Sequence, residues 1–295
     1  MAKSQRAGPS LRQNAEAMSS AIPPLLVAAE RVAATVLQGV HGHRRVGQGE
    51  SFWQFRRYGF GDAATQIDWR QSARTQQVYV RENEREGAQS VWLWADASNS
   101  MVYRSSPELS EKRDRARLLL LALASLLSRG GERFALLDSG AAPSTGRGAL
   151  YNLAESLMTP GNETGLPVRR ELPADAHVIL FGDFLEAVPQ VRDAVMDLAG
   201  QGLSGHIVHI LDPAELELPF EGRVRFRGFE GETETLIDRV EAVRSNYRDR
   251  IEGHCATLHE IARDAGWNII AHGTDGSPET CLLTLYLALY SGKGM

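Results

Sequence analysis

Short apolar runs alternate with longer amphipathic stretches along the chain after residue 88. The runs are rich in β-branched and aromatic residues, as buried strands are, and lie at 91–95, 133–137, 177–181, 205–211 and 267–271. The stretches with apolar residues at helical spacing lie at 110–128, 148–158, 189–202, 238–265 and 278–290. Because strands separated by helices form parallel βαβ units, this pattern predicts an α/β domain with a doubly wound, mostly parallel sheet.

The first 87 residues follow a different pattern. Residues 1–20 are small and polar and are expected to form a disordered tail. Apolar residues recur at helical spacing over 23–40, which predicts an amphipathic helix whose apolar stripe packs on a core. Glycines, arginines and aromatic residues are interleaved over 41–87, with one strand expected at 76–80. We therefore expect a tail at 1–20, an N-terminal helix and small subdomain at 21–87, and the α/β domain at 88–295.

The composition is that of an ordinary soluble globular protein, with 43% hydrophobic and 23% charged residues. The net charge of −5 argues against general nucleic-acid binding. Two cysteines are too few for a disulfide framework or a zinc site. Because no apolar stretch has the length of a spanning helix and no signal peptide is evident, we expect a cytoplasmic protein without a membrane span.

Polar residues follow the predicted strands at their carboxyl ends, where ligands bind in open α/β sheets. The segment Asp96-Ala97-Ser98-Asn99-Ser100 places one carboxylate and two hydroxyls at alternate positions of one loop. Hard oxygen ligands of this kind suit Mg²⁺ or Mn²⁺. The sequence therefore predicts a metal site formed by Asp96, Ser98, Ser100 and Asp183, with Thr164 as a candidate for a further neutral oxygen.

Other polar residues are expected at the same edge because they follow the remaining strands. They are Asp138, Ser139, Asp212, Thr274 and Asp275. The alternative interpretation of Asp96 and the two serines is that they cap the next helix. We favour a metal site because that helix is predicted to begin only near residue 110.

Two stretches resemble known families. Asp96 to Ser100, with a later threonine and Gly182-Asp183, resembles the metal-ion-dependent adhesion site of von Willebrand factor A domains. Residues 47–86 resemble the signature of the bacterial DUF58 family, in which a block R-x-Y-x-x-G-D followed by I-D-W and S-A-R precedes an A-type domain. The residues that match this block are Arg57, Tyr58, Gly61, Asp62, Asp68, Trp69 and Arg74.

The resemblance implies a von Willebrand factor A-like, Rossmann-like fold for the main domain. It implies that Ser98, Ser100 and Thr164 contact the metal directly, whereas Asp96 and Asp183 act largely through water. An open metal position would be completed by an acidic side chain of a partner protein. The resemblance further implies a non-enzymatic module that works with a MoxR-type AAA+ ATPase in the assembly or maturation of protein complexes.

The block at 41–81 has a local excess of positive charge, and tyrosine and tryptophan are interleaved with its arginines. One interpretation is structural, with Asp68 pairing with Arg70 or Arg74 around Trp69. The other is a surface for RNA or for an acidic partner, because arginine and aromatic side chains stack on bases. The acidic total makes structural pairing the favoured interpretation, so no nucleic-acid partner is expected.

A metal-dependent phosphatase of the haloacid-dehalogenase type is the alternative function. Asp96 would be its nucleophile, Ser139 follows the second strand, and Gly182-Asp183 resembles that family's metal-binding motif. Two features disfavour it. Ser98 stands where a general-acid aspartate is expected, and no lysine between Ser139 and Asp183 is present to hold a phosphate.

Overall fold

The computed structural model describes residues 11–40, 51–59, 67, 69–74, 77–84, 90–159, 165–226, 228 and 234–291. The strands are β1 (Ser51–Arg57), β2 (Tyr79–Glu84), β3 (Ser90–Ala95), β4 (Arg133–Leu136), β5 (His177–Gly182), β6 (Ser204–Leu211), β7 (Val224–Phe226), β8 (Thr235–Ile237) and β9 (Asn268–Gly273). The helices are α1 (Leu11–Val40), α2 (Trp69–Ser72), α3 (Lys112–Gly130), α4 (Arg147–Met158), α5 (Val188–Ala199), α6 (Pro213–Glu217), α7 (Val240–Asp264) and α8 (Pro278–Ser291).

Five strands form the central sheet, in the order β4-β3-β5-β6-β9. Every neighbouring pair in this sheet is parallel. The predicted α/β architecture with a mostly parallel sheet is therefore confirmed. Parallel sheets need cover on both faces, which explains why these strands are continuous apolar runs in the sequence.

Helices cover the sheet on both faces, and alternate residues of each strand point to opposite layers. In β3, Val91 and Leu93 belong to the layer that contains buried residues of α1, α3, α4 and α8. Trp92 and Trp94 belong to the other layer, with buried residues of α5 and α7. The central strands are thus fixed from both sides, and so are the loops that leave their carboxyl ends.

Helix α1 begins at Leu11, well before the predicted start near residue 23. Half of the segment expected to be a disordered tail is therefore helical, because Leu11, Ala15 and Met18 continue the apolar spacing on the N-terminal side of Pro23-Pro24. The predicted apolar stripe does pack on the core. Its buried residues are Ala29, Val32, Ala33 and Val36.

Strands β1 and β2 form an antiparallel pair in the N-terminal region. The sequence pattern did not predict β1, and β2 begins at Tyr79 rather than near residue 76. A second antiparallel pair, β7 and β8, lies between α6 and α7. Across the portions of the chain that the structure describes, no helix combines the length and apolar character needed to cross a membrane.

Candidate functional site

The candidate site lies at the carboxyl ends of β3 and β5, which are neighbours in the centre of the sheet. The chain leaves β3 for β4 on one side and later returns to β5 on the other side. Ligands of open α/β sheets bind at such a reversal of strand order, because the loops diverge there and leave a crevice. The Asp96 N–H donates to the Phe181 carbonyl at 2.8 Å, which continues the strand pairing up to the site.

A chain of hydrogen bonds links the residues that follow these two strands. The Ser98 N–H donates to Asp96 Oδ1 at 2.8 Å, and the Ser98 and Ser100 hydroxyl oxygens lie 2.9 Å apart. The Ser100 hydroxyl donates to Asp183 Oδ2 at 2.7 Å. The structure thus brings together four of the five predicted ligands, and Thr164 lies outside the described residues.

The loop after Asp96 is a short 3-10 turn over Asn99–Met101. Ser98 precedes this turn, yet its side chain forms no capping hydrogen bond to it. The buried Met101 side chain anchors the turn to the core. The interpretation of Asp96 and the two serines as caps of the next long helix has no support in the geometry, because α3 begins at Lys112 with Glu111 as its N-cap.

Asp96 is almost fully buried, and its second carboxylate oxygen, Oδ2, has no hydrogen-bond partner among the described residues. Burial, together with the neighbouring charge of Asp183, raises the pKa of Asp96 to about 7. A buried carboxylate without a full set of donors is costly in free energy. The site therefore has an unmet requirement for a positive charge or a donor near Asp96.

Gly182 makes room for Asp96 where β5 passes β3. A Cβ atom at position 182 would lie 2.9 Å from Asp96 Cβ and 3.2 Å from Asp96 Oδ2. Real Cβ atoms do not approach so closely, so only glycine fits this position with Asp96 in place.

The turn after β5 has a strained backbone. Phe184 has a φ of 52°, although it is not glycine, and its ring is buried against Trp94 at a centroid distance of 6.2 Å. Such a conformation costs free energy and persists only where the surroundings impose it. The buried ring fixes Asp183 on one side of the turn and leaves Leu185 exposed at the rim of the site.

The structure adds a lysine that the sequence patterns did not indicate. Lys112, the first residue of α3, is fully buried, and its ammonium donates to Asp183 Oδ2 at 2.8 Å and to Glu215 Oε1. Burial lowers the pKa of Lys112, but the carboxylates of Asp183 and Glu215 outweigh it, and the pKa lies above its ordinary value. The one available signal was that Lys112 is a rare lysine in a chain whose other basic residues are nearly all arginine.

Glu215 belongs to α6 and connects the lysine to a neighbouring loop. Its other oxygen accepts from the Asp212 N–H at 2.8 Å, while Asp212 caps α6 through Ala214. Burial raises the pKa of Glu215 despite the opposing charge of Lys112. Glu215 and Asp183 therefore both bind the ammonium of Lys112.

The remaining polar residues of the sheet edge do not join the site. Asp212 accepts from the Ser105 N–H at 2.9 Å and lies near the Thr274 hydroxyl, so it orders loops. Asp138 accepts from the Val168 N–H at 3.4 Å, and the exposed Ser139 bonds within its own turn. Both belong to the end of β4, at the edge of the sheet.

The structure describes only part of the predicted N-terminal block. Gly61, Asp62 and Asp68 lie outside the described residues, and so does the side chain of Arg57. Tyr58 and Arg74 are exposed, and Trp69 is 68% exposed. The predicted pairing of Asp68 around Trp69 therefore stays a prediction.

A divalent cation at this site would need the serine hydroxyls as ligands. Among the described residues, no three histidine, cysteine, aspartate or glutamate side chains are arranged to hold a metal ion. The Ser98 and Ser100 hydroxyl oxygens lie 2.9 Å apart and Asp96 Oδ2 has no partner among the described residues, and oxygens are the ligands that Mg²⁺ prefers.

The family model described as "Protein of unknown function DUF58" matches residues 54–257. The chain belongs to the DUF58 family. The match includes β3, β5 and every described residue of the candidate site, so the site lies within the part of the chain that defines the family.

Relatives of this DUF58 protein include uncharacterized proteins from mycobacteria. Mb1516 of Mycobacterium bovis and Rv1480 of Mycobacterium tuberculosis are each 27% identical to it over 256 residues, which cover 81% of this chain and 80% of each relative. Among solved structures, the conserved hypothetical protein BatB from Bacteroides thetaiotaomicron matches with a TM-score of 0.34 and 14% identity, covering 69% of this chain and 99% of BatB. The PilB minor pilin from Streptococcus sanguinis matches with a TM-score of 0.33 and 12% identity, covering 74% of this chain and 64% of PilB.

Proposed function

We propose that this DUF58 protein is a non-enzymatic interaction module whose main domain is von Willebrand factor A-like. Its site binds Mg²⁺ or Mn²⁺ in the manner of a metal-ion-dependent adhesion site, and an acidic side chain of a partner protein completes the coordination. The expected partner is a MoxR-type AAA+ ATPase, and the expected role is in assembly or maturation of protein complexes. The ATPase and the role rest on the sequence resemblance.

One observation carries this proposal. The hydroxyls of Ser98 and Ser100 lie 2.9 Å apart, and Ser100 lies 2.7 Å from Asp183, which is 83 residues away in sequence. Two hydroxyls beside two buried carboxyl groups support the proposal, because all four side chains offer oxygen atoms, the ligands that Mg²⁺ prefers. The arrangement is what a cation with oxygen ligands requires.

The charge of the site supports a divalent rather than a monovalent cation. Asp96, Asp183 and Glu215 supply three carboxyl groups, and the ammonium of Lys112 bonds to two of them, Asp183 and Glu215. A divalent ion would neutralise the remaining negative charge. It would also offer its open position to another carboxylate, which the site by itself repels.

Access to the site is from the side of Ser100. Ser98 and Asp96 are buried, whereas Ser100 is half-buried and Asn99 beside it is exposed. Leu185 is 47% exposed at the rim and gives a partner an apolar contact next to the ion. A protein surface that carries one protruding acid beside apolar residues would fit this rim.

The phosphatase interpretation receives less support from the geometry. Asp96 is 2% exposed, so a phosphate ester has little access to the carboxylate that would attack it. Ser139 is exposed and bonds only within its turn, so it does not stand beside Asp96 as a second phosphate ligand. Lys112 is fully buried and is already bonded to two carboxylates.

The proposal is tested by binding of the purified chain to the MoxR-type ATPase of the same genome, in Mg²⁺ and in EDTA. We expect binding in Mg²⁺, and we expect EDTA or Ser98→Ala to abolish it because either removes the ion from the site. Ser139→Ala is the matched control, since it deletes a hydroxyl from the same sheet edge outside the site.

Two results would count against the proposal. Binding that is equally strong in EDTA would show that no divalent ion mediates it. Hydrolysis of a generic phosphate ester in Mg²⁺, lost in Asp96→Asn and retained in Ser139→Ala, would favour an enzyme in which Asp96 is the nucleophile.

A further inference from the structure

Lys112 places a buried positive charge in the candidate site. Its side chain is 0% exposed, and lysine is almost never fully buried unless it is paired. Its ammonium contacts Asp183 at 2.8 Å and also Glu215. A cation is therefore already present on one side of the site before any metal ion binds.

The Lys112 ammonium and the Ser100 hydroxyl donate to the same oxygen of Asp183. Asp183 Oδ2 accepts from the Ser100 hydroxyl and from the Lys112 ammonium, while Asp183 Oδ1 accepts from the Leu185 N–H at 3.3 Å. Both oxygens of Asp183 are thus engaged by donors of the protein itself. Because each carboxylate oxygen accepts about two hydrogen bonds, a metal ion that bonded to Asp183 Oδ2 would have to displace one of its two donors.

Glu215 is the second carboxylate that binds the Lys112 ammonium. The backbone around Glu215 is itself fixed, because the Tyr247 hydroxyl donates to its carbonyl at 2.8 Å and the capping box of α6 fixes its carboxylate. The ammonium cannot withdraw toward solvent, since it is buried between two carboxylates on different elements.

We propose that Lys112 is a resident cation that competes with the divalent ion for Asp183 and thereby sets the ion affinity of the site. This inference rests on the proposed function. Two positive charges that share one carboxylate repel each other strongly in a buried setting, so the lysine weakens ion binding. It also hinders direct coordination of the metal by Asp183 Oδ2, and a metal position not taken by this oxygen is left for the acid of a partner.

The test is a titration with Mn²⁺ alone, in which electron paramagnetic resonance measures the free ion. Lys112→Met by itself leaves two buried carboxylates without their cation, so the main comparison is Glu215→Gln against Lys112→Met/Glu215→Gln. These two variants differ only at Lys112. Circular dichroism and urea unfolding establish that both are folded.

We expect the double variant to bind Mn²⁺ at least about tenfold more tightly than Glu215→Gln, because a nearby like charge is removed. Arg192→Met is the control, since Arg192 is exposed, pairs with Asp264 on the protein surface, and carries the same charge as Lys112. We expect that control to bind Mn²⁺ within about twofold of the wild type, because solvent and salt screen exposed charges.

The outcomes separate this inference from the proposed function. If the wild type binds Mn²⁺ and the double variant binds no more tightly than Glu215→Gln, the competition is refuted and the ion site stands. If the wild type does not bind but the double variant does, the competition is supported, and the proposed ion-dependent function of the natural chain is refuted. If no variant binds Mn²⁺, both are refuted.

Discussion

At Gly182 the two central strands approach so closely that a side chain would collide with Asp96. A Cβ atom there would meet the Asp96 side chain and would also lie 3.4 Å from the Trp94 ring. The absence of a side chain at one position thus determines where the buried carboxylate of the neighbouring strand points. The site depends on this close packing as well as on its polar groups.

Gly182→Ala should therefore destabilise the protein and disturb the site together. We expect a loss of about 1–3 kcal/mol in the free energy of unfolding, as for overpacked cores, because the added Cβ would meet the buried side chains of Asp96 and Trp94. We also expect weaker Mn²⁺ binding, because Asp96 must move. Urea unfolding and the Mn²⁺ titration measure the two effects.

Gly253→Ala is the matched control for this prediction. Gly253 lies exposed in α7, with nothing within 4 Å of an added Cβ. Alanine is favoured over glycine in a helix by up to about 1 kcal/mol, so this variant should be at least as stable as the wild type. A Gly182→Ala protein with unchanged stability and Mn²⁺ affinity would contradict the packing argument.

Among the elements, β6 is unusual because it carries two buried histidines. His206 and His209 lie three residues apart and point to opposite layers of the sheet. Burial lowers the pKa of each to about 4, with a smaller effect from His177 at His206 and from His254 at His209. Both histidines are therefore neutral at neutral pH, and their protonation would destabilise the folded chain.

The stability of the protein should fall as the pH decreases from about 6.5 to about 4. In this interval the unfolded chain binds a proton at His206, whose ordinary pKa is 6.5, while the folded chain does not because its pKa is about 4. Protons thus favour unfolding, by up to about 1.4 kcal/mol per pH unit for one such group.

Urea unfolding of the wild type and of His206→Gln across this pH interval measures how the free energy of unfolding changes with pH. The comparison shows whether His206 causes the decrease. The free energy of unfolding of the variant should fall less steeply, and the remaining slope belongs in part to His209 and His272, whose pKa values burial also lowers. Parallel curves for the two proteins would show that His206 does not carry the effect.

At the scale of the whole molecule, the site is formed by segments that are far apart in sequence. Two core layers hold the sheet between them, so the ends of β3 and β5 are fixed relative to each other. The loops at those ends then place Ser100 and Asp183 in contact. Helices α3 and α6 complete the arrangement with Lys112 and Glu215.

The sequence predicts the part of this arrangement that follows from strand pairing. The apolar runs of β3 and β5 identify parallel strands, and their carboxyl ends must meet, so Asp96 and Asp183 are expected to be neighbours. The contacts of Lys112 are different, since they join residues 71 and 103 positions apart. A charged residue at the start of a helix is normally solvated, so no local pattern marks it as buried.

Local sequence signals also give wrong element boundaries where two signals conflict. Pro23-Pro24 suits the first turn of a helix, which suggested a start near residue 23, although α1 continues back to Leu11. Strand β1 was missed because arginine and glycine residues around it favour turns. Twenty-one residues separate the end of β1 from the beginning of its partner β2, so no local pattern indicates the pairing.

The most direct test of the account is anomalous diffraction from crystals of the chain grown in Mn²⁺. The account predicts one anomalous peak about 2 Å from the hydroxyl oxygens of Ser98 and Ser100, beside Asp96, and its absence in Ser98→Ala crystals. Well-ordered crystals with no peak there, or with a peak that persists in Ser98→Ala, would contradict the claim that these oxygens hold a divalent ion.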